Sequence, residues 1–160
     1  MFLKISDISR ILLVSLAFFF GYQIGFANEI YNPEAQLHLM IPVIIVAIAG
    51  LSGIEGLFFG KESAALKGFE GGGNYQRQSA IALLSYAAIA VFVYFVNWGI
   101  KAELTIFFTF IFFFFFSAIN HAIDAIKRKN YQWQNINRPF LSLLLIGGMI
   151  YPIWMAFLNL

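Results

Sequence analysis

Cysteine is absent from the 160-residue chain, which removes disulfides, thiolate metal sites, iron–sulfur clusters and cysteine nucleophiles together. Histidine occurs only twice, as His38 and His121, so no multi-histidine metal site can be built within one copy. Charge is scarce as well. Asp, Glu, Lys and Arg make up 11% of the residues, against about 25% in an ordinary soluble domain. A chain this poor in charge cannot clothe a water-facing surface. The net charge of +2 leaves no footprint for nucleic acid, and no basic stripe alternates with aromatics.

What stands in place of charge is hydrocarbon. Hydrophobic residues make up 61% of the chain. Five apolar stretches, at about 8–27, 38–60, 79–100, 104–126 and 139–158, approach or exceed the roughly 20 residues that cross a ~30 Å hydrocarbon core. Backbone groups in lipid must be satisfied within their own segment, so these stretches are expected as helices. None alternates with period two, which argues against a barrel. The expected fold is therefore all-α: a polytopic membrane helix bundle of five transmembrane helices, forming a single integral membrane domain over 1–160.

Placement of the charges tests that count. If the amino terminus is cytoplasmic, Lys4, Arg10, Lys61, Lys67, Arg77, Lys127, Arg128, Lys129 and Arg138 fall on the inner side and only Lys101 on the outer. That bias predicts an N-in, C-out chain in the cell membrane. Lys4, Arg10, the first apolar run and Gly25-Phe26-Ala27 also resemble a secretory signal. The run is long for a signal core, so a retained span is expected.

Smaller features fit five spans. Trp98 and Trp154 near outer span ends, and Trp133 in an inner loop, are expected as interfacial anchors. Gly21 and Gly25, and Gly56 and Gly60, have the small-xxx-small spacing that lets helices approach, and Gly50 and Gly53 extend the second helix's small surface. Their expected role is packing. Pro42 and Pro152 fall inside spans two and five, where each removes a backbone hydrogen bond. Between Phe107 and Phe116, eight of ten residues are phenylalanine, a run that encircles the helix and so must largely face lipid rather than form a ligand box. Gly71-Gly72-Gly73 lacks the following Gly-Lys-Ser/Thr of a phosphate loop and reads as a turn.

Polar residues inside spans are costly and therefore the main candidates for function. These are Glu55 in span two and Asn120, His121 and Asp124 in span four. Glu55 and His121 fall at one depth, roughly 9 Å from mid-span on the inner side, and Asp124 lies one turn beyond His121 on nearly the same face. Three readings follow. The cluster is a structural lock in which Glu55 pairs with His121 or a loop lysine; or a proton or substrate pathway in which His121 titrates between two acids; or a metal site, weakened by its single nitrogen ligand. No metal and no cofactor is assigned. His38, at the outer start of span two, reads as a solvated cap.

The stretch from about 37 to 157 resembles a family of small prokaryotic membrane proteins known as a domain of unknown function. The likeness rests on Tyr75-Gln76-Arg77-Gln78 opening a span, on Asn120-His121 near the end of the next, and on Asn130 and Asn135 in the following loop. Gly60-Lys61 stands where that family often has a second histidine. The resemblance implies a multispan domain with its notable polar residues on the inner side, and it supplies no activity. Beyond the lipid bilayer itself, the expected partner is another membrane protein or a second copy of the chain. The leading functional expectation is a non-enzymatic accessory or assembly subunit working through helix packing. The alternative is a small transporter or proton-linked carrier using Glu55, His121 and Asp124.

Overall fold

A computed structural model describes residues 2–66, 68, 73–131 and 133–160. Five helices are long and apolar enough to cross a membrane: Ile5–Gly25, Pro33–Phe58, Asn74–Val96, Ile100–Lys127 and Arg138–Leu158. The first of them begins at Phe2. We number these spans one to five. Short helices Gly60–Leu66 and Trp133–Ile136 precede spans three and five. The architecture is an all-α bundle of five membrane-spanning helices.

Several helices run past the apolar stretches that announce them, because helix ends are set by capping and not by the limit of hydrocarbon. Span two begins at Pro33, where the Asn32 side chain accepts the Ala35 N–H at 3.0 Å and proline's fixed φ suits the first turn. Span three begins at Asn74 and so carries the polar stretch Tyr75-Gln76-Arg77-Gln78 on its first turn. It stops at Asn97, which takes a left-handed φ of 53°. Gly99, at φ 85°, completes the reversal into span four. Of the glycine triplet, Gly71 and Gly72 lie outside the described residues, as does the side chain of Trp133. Trp98 and Trp154 are exposed near the span ends.

Span two is the axis of the bundle. Of its most apolar window, 56% is buried, against 17–28% for the others, and it packs on all four neighbours. Leu37, Met40, Ile41, Ile44 and Ile45 from span two meet Phe107 and Phe110 from span four and Met149 from span five, all nearly without exposure. The phenylalanine run divides accordingly: Phe107 and Phe110 are core, whereas Phe108, Phe112 and Phe116 face outward. Outward-facing Ile11, Phe19, Phe95, Leu144 and Trp154 would be untenable in water, and lipid is their solvent.

At its centre span two widens into a π-helical turn, Val46–Gly50, one turn beyond Pro42. A π turn inserts one residue, which rotates the following face by about 100° at 3.6 residues per turn. Before it, span two receives span one: the positions of Gly21 and Gly25 lie against Met40 and Gln36. After it, Gly53 and Gly56 face span three, where a Cβ on Gly53 would stand 2.6 Å from Leu84 Cγ and 2.9 Å from the Ala80 carbonyl oxygen. Gly60 lies against Gln76, whose amide donates to the Gly60 carbonyl at 2.7 Å.

Candidate functional site

The charged side chains within the spans gather at the two ends of the bundle. At the end holding the amino terminus, Glu55 is 3% exposed. Its Oε2 accepts from Arg10 Nη2 of span one, and its Oε1 accepts from Ser63 Oγ of the short helix Gly60–Leu66. Local sequence explains the geometry. Asp7 and Arg10 lie one turn apart on span one, so Arg10 Nη1 also donates to Asp7 Oδ1 at 2.6 Å. Phe59 breaks span two with φ −126° and ψ 26°, and this bend returns Ser63 toward Glu55. Arg138, half-buried in the first turn of span five, lies within electrostatic reach of Arg10, Glu55 and Asp7. Two guanidinium groups and two carboxylates thus share one corner. Such a set is tolerable at low dielectric because it balances, and removal of one member leaves a stranded charge.

The opposite end holds a second pair. Glu103, 2% exposed in the first turn of span four, meets His38 of span two, with Oε1 and Nδ1 2.5 Å apart. The imidazole stacks on Tyr94 of span three at 4.5 Å between centroids. Glu103 Oε2 is buried with no hydrogen-bond partner among the described residues. His38 therefore hydrogen-bonds Glu103 and ties spans two and four, while 38% of its side chain stays exposed; the solvated cap expected from sequence also carries an inter-span contact. A carboxylate that deep demands a donor, and His38 is the one its fold supplies.

Seventeen residues, about 25 Å at 1.5 Å per residue, separate His38 from Glu55 along span two. The intervening core consists of the aliphatic and phenylalanine side chains named above. Among the described residues, every buried polar side chain lies toward one end or the other. Among the described residues, the core between the two pairs is apolar.

The span-four candidates have surroundings of their own. Asp124 accepts from Arg128 Nε at 2.9 Å, one turn along the same helix, with both groups substantially exposed. Asn120 is exposed, and His121 is half-buried and engaged. Among the described residues, no three His, Asp or Glu side chains stand together to hold a metal ion. Shared depth does not ensure a shared site, because azimuth also matters. The Leu51–Phe58 half of span two packs on span three, while span four packs on the Pro33–Ile45 half.

Arg10, Ser63, Glu103 and Arg138 are the site residues that sequence reasoning passed over. Arg10 fell inside the first apolar run, and Glu103 and Arg138 each stood one residue outside a run. A charge that close to a span boundary reads equally well as a loop charge. The usable signal was Arg10 itself, a guanidinium inside a span that requires a carboxylate at the same depth.

A family described as of unknown function (DUF6790) matches residues 10–158. No curated protein and no solved structure matches the chain.

Proposed function

The chain belongs to that family of unknown function, and on this premise we propose that it is a non-enzymatic accessory or assembly subunit that works through helix packing. It resides in a prokaryotic inner membrane with its amino terminus cytoplasmic and its carboxyl terminus outside. One observation carries this reading: the deeply buried acids, Glu55 and Glu103, serve as ties between spans, with an apolar core of described residues between them. A carrier needs ionisable groups that change partners across the bilayer, whereas these are held in fixed pairs at opposite ends. Orientation rests on the basic residues. With Arg10 paired inside span one, Lys61, Arg77, Lys127, Arg128, Lys129 and Arg138 still fall in segments that this reading puts inside, and Lys101 in one it puts outside.

The test is gentle detergent extraction followed by quantification of co-purifying chains. A stoichiometric membrane partner, or a defined homo-oligomer, is expected, and Glu55→Gln should weaken that assembly. A lone monomer whose reconstituted vesicles carry a flux abolished by His121→Ala would overturn the subunit role in favour of a proton-linked carrier.

A further inference from the structure

Span four is the longest of the five. Its 28 residues, Ile100–Lys127, run about 42 Å at 1.5 Å per residue, beyond the ~30 Å of hydrocarbon. The helix ends in three consecutive cations, Lys127, Arg128 and Lys129, all exposed. Just before them Ile123 and Ile126 are exposed, and just after them so is Tyr131. Lipid-facing aliphatics followed by cations and a tyrosine mark the level at which a helix leaves hydrocarbon for headgroups.

Two cations of this triplet carry uncompensated charge. Arg128 Nε donates to Asp124 at 2.9 Å, whereas Lys127 and Lys129 have no ion pair among the described residues. Lys127, in the last helical turn, also suits the negative end of the helix dipole. Lys129 lies past the helix and takes φ 54°. Its N–H bonds the Ile126 carbonyl at 3.2 Å, and the Asn130 N–H returns to the Ala125 carbonyl at 2.8 Å. That pair of bonds is the helix stop whose left-handed residue is usually glycine, because a Cβ makes the conformation costly. Asn97, the other non-glycine residue described with positive φ, is of a type that tolerates it; lysine is not. An outlier of that kind is a pointer to function. The turn is also pinned, since the Asn130 amide donates to the Gly68 carbonyl at 3.0 Å. Segments 61–77 and 124–138 together carry seven Lys and Arg against Glu62, Glu70 and Asp124, so their balance is positive.

We propose that the Lys127–Lys129 end of span four binds the headgroups of anionic phospholipids in the adjoining leaflet. Charge complementarity selects the partner: two unpaired ammonium groups at headgroup level meet phosphodiesters whose charge no amine cancels. The pinned turn holds the Lys129 backbone in place beforehand, which lowers the cost of ordering it on binding. A bias of cations that orients a chain depends only on their number near the span ends, and it gives no reason for a left-handed lysine. The site requires a bilayer around the bundle but not a particular orientation in it, and it stands or falls separately from the subunit role.

The full chain, purified in dodecyl maltoside with equal phosphatidylglycerol and phosphatidylcholine, is read by native mass spectrometry for the lipid it retains. Wild type should retain phosphatidylglycerol over phosphatidylcholine by about tenfold, a preference that fades in high salt. Lys129→Gly should cut it by about fivefold, the worth of one surface lysine, and Lys127→Gln/Lys129→Gly should remove most of the rest. Lys101→Gln, at the other end of span four, makes the same change in net charge and should retain lipid as wild type. Because glycine suits the turn, Lys129→Gly should melt at or above the wild-type temperature in lipid-free dodecyl maltoside. Equal retention of the two lipids by wild type would overturn the proposal and leave the triplet to an acidic protein partner. So would an unchanged preference in the double variant, or an equal loss in Lys101→Gln. A Lys129→Gly chain that melts below wild type would overturn it too, by showing that contacts within the fold hold the lysine.

Discussion

Replacing Glu55 with alanine removes the carboxylate that Arg10 and Ser63 share and leaves Arg10, paired with Asp7, in a half-buried corner that Arg138 also faces. Breaking a buried pair from one side costs about 3–5 kcal/mol, a large part of the ~5–15 kcal/mol that holds an ordinary domain together. Arg10→Met should cost less, about 2–3 kcal/mol, because Glu55 keeps the Ser63 hydroxyl and the Arg138 field. The double variant Arg10→Met/Glu55→Leu removes both charges of the pair together. Its loss should fall at least about 2 kcal/mol short of the sum of the single losses. Reversible unfolding in mixed micelles, followed by far-ultraviolet circular dichroism as SDS is raised, gives all three values. Strictly additive losses, or a Glu55→Ala cost below about 1 kcal/mol, would refute a buried lock and return Glu55 to the status of a solvated acid.

The other tie and the close helix contacts make their own forecasts. His38→Ala should destabilise by about 1–3 kcal/mol by leaving the Glu103 carboxylate without a donor, and His38→Ala/Glu103→Leu should recover most of it; no recovery would sever the link between the two. Gly53→Ala should cost about 1–3 kcal/mol because its Cβ meets the Ala80 backbone. Gly21→Ala should cost less, since its new methyl meets the flexible Met40 side chain; the reverse order in the same micelle titration would contradict the packing described. Burial, with Tyr22 and Tyr151 nearby, pushes the Tyr31 phenol up from 10.0 to about 12. The raised value belongs to the folded chain, so its contribution to stability is whole below pH 10 and fades as pH climbs toward 12. Tyr31→Phe should flatten that part of the stability profile, and an unchanged slope would dismiss the effect.

Span number and helical type were legible because each rests on a property summed over about twenty residues, where single exceptions average out. Helix ends were less so. Pro33 and Asn74 start their helices in polar sequence, and only the Asn32 cap gave the first of these a visible signature. The short helix Gly60–Leu66 and the π turn Val46–Gly50 left no periodic signal, each being under two turns long. Glu55 stood out as a buried acid, but its partner did not. Pairing depends on which faces of spans one, two and five meet, and helix azimuth is fixed by packing across the bundle. The same reason separates Glu55 from Asp124, which pairs with Arg128 four residues along its own helix.

Because the chain has no cysteine of its own, single thiols can be placed in it without background. Asn28→Cys between spans one and two, Tyr131→Cys between spans four and five, and Leu160→Cys at the carboxyl end all fall at exposed positions. Five alternating spans with the basic loops inside predict that a membrane-impermeant maleimide labels positions 28 and 160 in intact cells and position 131 only after permeabilisation. Labelling of all three from one side, or of 131 and 160 together without 28, would contradict the bundle on which every assignment above depends.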